Sequence, residues 1–249
     1  MADLKSIEIK NLTKSFNGFT VLDNISLSVK ESENFVVFGR SGSGKSVLLK
    51  CIIGLLKPDK GKIIIKGTEV TNLPNKELND LRKRLGFLFQ GGALYDSMTV
   101  RENLEFPLRR HYNFTDDEIN QKVENTLELV GLKEAIDKMP SELSGGMRKR
   151  IGLARSIITE PEIMLYDEPT TGLDPLTSKE ISVLIRDLQN KLKMTSVVVT
   201  HDLICANIIA DNAIFLKDGK IKYSGTIKEL MNSEDIFLRN FFSYELVTS

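Results

Sequence analysis

The sequence has no excess of charge, little cysteine and no long apolar run, and each shortage closes off a class of protein. Lysine plus arginine number 34 and aspartate plus glutamate 34, so the formal net charge is zero. A dedicated nucleic-acid binder normally carries a basic excess, and no nucleic-acid partner is expected. The two cysteines, Cys51 and Cys205, both lie in apolar stretches and suggest neither a disulfide scaffold nor a metal cluster. No segment approaches the roughly 18 uninterrupted apolar residues of a membrane span. The opening MADLKSIEIK has no apolar signal-peptide core. With 17 glycines and 7 prolines in 249 residues, a collagen-like chain is excluded as well. What remains is ordinary globular material, 41% apolar and 27% charged. That is enough to bury a full core in one large domain, or one domain with a sizeable subdomain. The chain is expected to be soluble and cytoplasmic.

Short β-rich runs alternate with helical ones, which points to an α/β fold. Residues 6–10 and 21–29 read as antiparallel strands around an Asn17-Gly18 turn. NFVVFG, ending at Gly39, has the look of a buried central strand, and KSVLLKCIIGLL (45–56) of a buried helix. Further strands are expected at 63–66, 85–90, 162–167 and 195–200. From about Thr99 to Arg155 the pattern is mainly helical. Ile181, Leu184, Ile185, Leu188 and Leu192 mark the apolar face of a later helix, and Asp218-Gly219 a tight hairpin. The simplest architecture is a parallel sheet with a helical insertion near residues 92–158.

Gly39-Arg40-Ser41-Gly42-Ser43-Gly44-Lys45-Ser46 matches G-x-x-x-x-G-K-[ST], and it sits where that motif has meaning, after a strand and before a helix. Glycines allow a tight loop whose backbone N–H groups point inward at phosphate oxygens, and the helix N-terminus adds a favourable dipole. Lys45 would reach the β- and γ-phosphates of a nucleotide, and the Ser46 hydroxyl would ligate Mg²⁺. The strand IMLYDE ends in adjacent carboxylates, Asp167 and Glu168. A nucleotide site needs one acid for the metal and another for the attacking water. Consecutive strand residues point to opposite sides, so Asp167 can serve Mg²⁺ and Glu168 act as general base. An acidic strand exit is common by itself; the phosphate loop gives this one its meaning. His201 follows the strand TSVVVT at a C-terminal end, where α/β sites collect, and reads as a polar sensor of the γ-phosphate. Gln90, ending LGFLFQ, can reach Mg²⁺ and the attacking water.

Ser144-Gly145-Gly146, within LSGGM, precedes a helix running through RKRIGLARSII. Ser144 can cap that helix and, with the glycine N–H groups, form a second anion site. Two phosphate-binding helix starts in one chain suggest that two copies share each nucleotide. The basic run Arg148-Lys149-Arg150 reads as a solvated helix face, the alternative being a direct nucleotide or lipid contact. At the C-terminus Phe237, Phe241 and Tyr244 share one helix face, available either for packing on the chain itself or for contact with a second copy.

The ordered set GRSGSGKS, Gln90, LSGGM, IMLYDEP, TGLD and His201 resembles the ATPase of ABC transporters over almost the whole chain. The resemblance implies a RecA-like α/β core (1–91 and 159–249) with an antiparallel N-terminal β-subdomain. It also implies a helical subdomain at about 92–158 carrying LSGGM, and a C-terminal helix or tail at 233–249. It makes Phe16 the aromatic that stacks on adenine and residues 171–174, ending at Asp174, a loop that crosses to the partner copy. ATP and Mg²⁺ are the implied cofactors. The implied assembly is a head-to-tail dimer under a membrane permease, peripheral to the cytoplasmic face of the inner membrane. Met147 departs from the commoner LSGGQ, which puts a polar contact at that position in question. LFQGGALYDSMTVRENLEFPLR and MPSELSGGMRKR resemble the ATPase of Mla/Mce-type phospholipid transporters, which adds an Mce-type substrate-binding protein as a partner. The alternative is another cargo, such as an amino acid, or a lipoprotein or efflux system. By resemblance the permease docks in a groove between core and helical subdomain. Leu94, Tyr95 and Met98 are the candidate contacts, unless they pack inside the helical subdomain.

Overall fold

The computed structural model describes residues 4–236 together with 238, 239 and 241. Strands β1 (Lys5–Phe16) and β2 (Phe19–Lys30) form an antiparallel hairpin with Phe16 opposite Phe19. Asn17 and Gly18 both take positive φ, 49° and 80°, as a two-residue hairpin turn of matching twist requires. β4 (Lys60–Ile65) and β5 (Thr68–Glu69) extend the hairpin into a four-stranded sheet ordered β2-β1-β4-β5, antiparallel throughout. The strand expected at 63–66 therefore belongs to this sheet and not to the parallel one.

β3 (Asn34–Phe38) is buried along its whole length and leads through the glycine-rich loop into α1 (Lys45–Ile52). The helix stops at Ile52 and does not run on to residue 56. Arg82, the last residue of α2 (Asn75–Arg82), donates to the carbonyls of Ile53 and Gly54 at 3.1 and 2.8 Å. These bonds satisfy acceptors that a longer helix would have used internally.

β6 (Leu85–Leu88) ends before Phe89 and Gln90, which leave the sheet in a turn closed by Gly92 N–H on the Phe89 carbonyl at 2.8 Å. Three helices follow: α3 (Val100–His111), α4 (Asp116–Leu129) and α5 (Gly145–Ile157). Thr99 with Glu102 and Thr115 with Glu118 form reciprocal capping boxes at the first two, satisfying N–H groups that a helix start otherwise exposes. The chain then returns through β7 (Ile163–Asp167), α6 (Pro175–Leu192), β8 (Thr195–Thr200) and α7 (Leu203–Ile209). It continues through β9 (Asn212–Lys217), β10 (Lys220–Gly225) and α8 (Ile227–Met231).

The second sheet has the order β10-β9-β3-β8-β7-β6, parallel except for β10 at its edge. Alternation along each strand divides the core in two. Val36, Phe38, Met164, Tyr166 and Val198 face one cluster, with α6 and the three inserted helices. Phe35, Val37, Leu165, Val197 and Val199 face the other, with α1 and the antiparallel sheet. Ile181, Ile185 and Leu188 of α6 are buried, and Leu184 and Leu192 pack at the margin. Phe241 is buried with its ring edge-on to Phe215 (4.9 Å) and Phe38 (6.5 Å). That residue of the C-terminal face packs on its own chain; Phe237 and Tyr244 lie outside the described residues.

Candidate functional site

The parallel strands deliver three groups to one place. β3 ends at the glycine-rich loop, β7 at Asp167 and Glu168, and β8 at His201. Because β7, β8 and β3 are neighbours in register, their C-terminal ends lie side by side.

In the loop, Gly44 stands at φ +102°, a conformation that L side chains rarely adopt, and a Cβ there would meet Leu22 Cδ2 at 2.8 Å and Val21 O at 2.9 Å. No other residue fits. Gly44 also N-caps α1, with no side-chain cap bond, unlike α3, α4, α5, α6, α7 and α8, where a side-chain oxygen accepts a first-turn N–H. The Lys45 side chain is 6% exposed. Its ammonium donates to the carbonyls of Gly39 (2.7 Å) and Arg40 (3.2 Å) and pairs with Glu168 Oε1 at 3.2 Å. Ser46 Oγ donates to Asp167 Oδ1 at 2.7 Å. Ser43 Oγ is buried with no hydrogen-bond partner among the described residues, a polar atom that costs free energy until something bonds it. These features fit a polyphosphate. Arg40, Ser41, Gly42 and Ser43 also line a cavity of about 340 Å³ with Phe19, Val21 and Gly219. Phe16, the expected adenine platform, is not in that lining; it is 41% exposed, with the Lys14 ammonium 5.2 Å from its ring centre. Phe19, across the hairpin and 74% exposed, lines the cavity instead, as does the buried Phe215.

Asp167 and Glu168 diverge, but not by strand alternation. Asp167 is the last residue of β7, whereas Glu168 has left the strand at φ +50°, a left-handed conformation costing roughly 1–2 kcal/mol. Its N–H donates to Val199 O at 2.9 Å, and its Oε2 meets His201 Nδ1 at 2.8 Å. Burial alone would push the Glu168 carboxyl up. The His201 hydrogen bond and the Lys45 charge outweigh it and hold the group below the usual carboxylate range. His201 is half-exposed, and Asp202 after it caps α7 and accepts from Thr170 Oγ1 at 2.8 Å. That Thr170–Asp202 bond ties the turn after Glu168 to the residue after His201. Nothing in the sequence signals it, since each partner looks like an ordinary loop residue.

Two oxygens, Ser46 Oγ and Asp167 Oδ1, offer hard donors suited to Mg²⁺. Among the described residues no cluster of three or more His, Cys, Asp or Glu side chains could hold a metal alone. Gln90 is exposed in the turn after β6, and its carbonyl accepts from the Lys149 ammonium. Lys149 overturns the expectation of a solvated basic face. It is 7% exposed, and burial pushes its ammonium below the usual lysine range against the opposing pull of Glu168 and Asp167. Arg148 and Arg150 bond the Leu143 and Val130 carbonyls, so the whole run is held intramolecularly.

Ser144 N-caps α5, its Oγ accepting from Met147 N–H at 3.2 Å, and with Gly145 it is exposed. Gly146 lies against α6, where a Cβ would come 2.7 Å from Thr177 Cγ2. Met147 packs against the core cluster. Asp174 N-caps α6 through Thr177 N–H (3.0 Å) and Thr177 Oγ1 (2.6 Å). The loop and Ser144–Gly146 thus occupy separate helix starts of one chain.

A groove of about 780 Å³ runs between α2, β6 and the inserted helices. Phe87, Phe89, Tyr112, Arg110 and Arg155 are among its walls, together with Gly92 and Ala93 from the turn after Gln90. Leu94, Tyr95 and Met98 are not. Leu94 packs on the core cluster, Tyr95 stacks under Arg155 and against Phe106, and Met98 lines a separate hollow with Glu105 and Arg109.

The family model described as "ABC transporter" matches residues 22–171. The intermembrane phospholipid transport system ATP-binding protein MlaF of Haemophilus influenzae is 42% identical over 96% of this chain and 90% of its own length. The methionine import ATP-binding protein MetN of Carboxydothermus hydrogenoformans is 39% identical over 90% of this chain and 67% of its own. Among solved structures, a dimeric ATP-binding cassette in a post-hydrolysis state with ADP and phosphate superposes with a TM-score of 0.82. It is 33% identical, over 89% of this chain and 98% of that one.

Proposed function

The chain belongs to the ABC transporter family and is an ATP-hydrolysing cassette of it, and from that premise we propose that it drives phospholipid movement as one of two copies under a membrane permease. The observation that carries the site reading is the convergence of the loop, Glu168 and His201 at three adjacent strand ends. In the proposed cycle ATP binds the loop, and Lys45 leaves Glu168 and the loop carbonyls for phosphate oxygens. Losing that cation returns Glu168 toward an ordinary carboxylate and makes it a better proton acceptor. Glu168 then takes the proton of the attacking water while His201, already bonded to it, holds the geometry toward the γ-phosphate. Mg²⁺, held by Ser46 and Asp167 and reached by Gln90, would neutralise charge developing on the phosphates.

Ser144–Gly146 of a second copy closes each site, with Asp174 at the crossing loop and Phe16 or Phe19 against the base. ATP can move the permease only through its higher affinity for the closed dimer. No helix among the described residues is long and apolar enough to cross a membrane, so force must pass through a protein contact on the cytoplasmic face. The groove supplies it. Its basic side chains (Lys76, Arg82, Lys83, Arg110, Arg155) outnumber its single carboxylate, Asp80, and Phe89, 39% exposed, offers an aromatic anchor.

The phospholipid cargo, and with it an Mce-type substrate-binding partner, rests on the similarity to MlaF; the MetN relative supports amino-acid import as a second reading. Phe89→Asp is expected to release the chain from its permease, since buried aromatic anchors cost roughly 2 kcal/mol or more when lost, while ATP binding persists. Leu94→Asp should instead unfold part of the inserted helices. Co-purification checks both. Vesicles containing the assembled transporter decide the cargo. ATP-dependent lipid transfer supports the reading, and methionine uptake without lipid transfer contradicts it.

A further inference from the structure

Gln90 is expected to sense the nucleotide of its own copy, whereas Ser144–Gly146, at the head of α5, is expected to close the site of the other. Three successive turns of α5 grip the segment that carries Gln90. The Lys149 ammonium donates to the Gln90 carbonyl, and the Arg155 guanidinium donates to the Ala93 carbonyl. Between them Gly152 lets the loop lie directly on the helix, where a Cβ would come 2.9 Å from Gly92 O and 3.0 Å from Gly92 Cα. A buried ammonium needs a partner, and this one takes a main-chain oxygen. The backbone of residue 90 is thereby fixed, while the Gln90 residue itself is exposed. Gly91, between the two gripped carbonyls, has nothing within 4 Å of where a Cβ would sit.

We propose that Lys149 is a positioning residue for hydrolysis, locking Gln90 to α5 so that Gln90 and Ser144–Gly146 move as one body and each ATP site feels the state of the other. The inference rests on the composite-site reading and assigns it a mechanical link. Lys149 is the fifth residue of α5, about 7.5 Å from Ser144 along a rigid helix at 1.5 Å per residue. A shift of Gln90 toward nucleotide is therefore delivered directly to Ser144, a little over one turn away. Such packed elements are the physical carriers of coupling between sites.

The test is a double-mutant cycle in the assembled transporter. Lys149→Met should lower kcat roughly tenfold, the scale of a lost hydrogen bond to a charged group. KM for ATP should change far less, and the Hill coefficient for ATP should fall toward one. Lys149→Arg, which keeps the donor and the charge, should restore both. In a Gln90→Ala background, Lys149→Met should add no further loss, because it acts through Gln90. Additive losses, or an unchanged kcat and Hill coefficient in Lys149→Met, would overturn the link. A silent Gln90→Ala would overturn the role of Gln90 itself, and the link with it. Should Lys149→Met not fold, Gly152→Ala loosens the same clamp and is expected to give the same non-additivity with Gln90→Ala; additivity there overturns the link equally.

Discussion

Glu168→Gln is expected to bind ATP and lose hydrolysis by roughly 10²–10⁴-fold, the usual contribution of a positioned base. The substitution keeps the shape and can still bond His201, now 2.8 Å away, but it removes the atom that takes the proton. The charge balance makes the expectation sharper. Glu168 lies below the usual carboxylate range and is therefore ionised at neutral pH, so it begins the reaction ready to accept. Lys45→Ala should fail differently. It removes the cation now shared among Gly39, Arg40 and Glu168 and should weaken nucleotide binding itself. Phosphate release and nucleotide binding, measured side by side in the assembled transporter, separate the two. Wild-type turnover in Glu168→Gln would remove Glu168 from the chemistry.

Ser144→Arg is expected to abolish hydrolysis while leaving nucleotide binding to one monomer nearly unchanged. The residue is exposed, at the head of α5, and its side chain accepts the Met147 N–H. Loss of such a cap costs roughly 1 kcal/mol, too little to unfold a domain with about 5–15 kcal/mol of stability. An arginine there would instead place a long side chain where the second copy must approach. Ser144→Ala loses the same cap without the bulk and serves as the control for helix stability. Melting temperatures that match between the two, with hydrolysis lost in Ser144→Arg, assign the defect to the interface.

Much of this was legible because the chemistry is local. The phosphate loop lies within eight consecutive residues, Ser144 caps the helix it precedes, and the buried strands end where their apolar runs end. What escaped was set by contacts across long stretches of chain. Lys149 looked solvated inside Arg-Lys-Arg; the carbonyl that buries it belongs to Gln90, 59 residues earlier. α1 looked longer because the arginine that closes it stands 28 and 29 residues further on. Pleat alternation gave a plausible reason for Asp167 and Glu168 to diverge, yet the left-handed turn at Glu168 does it, supported from β8 and by Lys45. Leu94 and Tyr95 stand out as apolar residues in a polar turn; Leu94 packs on the core cluster, whereas Tyr95, against Phe106 and Arg155, stays exposed.

The central claim is that two copies share each ATP, and cysteine cross-linking reads it directly. Cys51 and Cys205 are buried, and burial pushes their thiols up to about 11 and about 12, so neither competes for a thiol reagent at neutral pH. Ser41 and Ser144 are exposed. Ser41→Cys and Ser144→Cys, placed in separate copies that also carry Glu168→Gln, are co-expressed with the permease and treated with a short bis-maleimide. A covalent dimer is expected that forms with ATP and Mg²⁺ and needs both cysteine variants together. No dimer in the nucleotide-bound mixture, or the same yield from either variant alone, would contradict it.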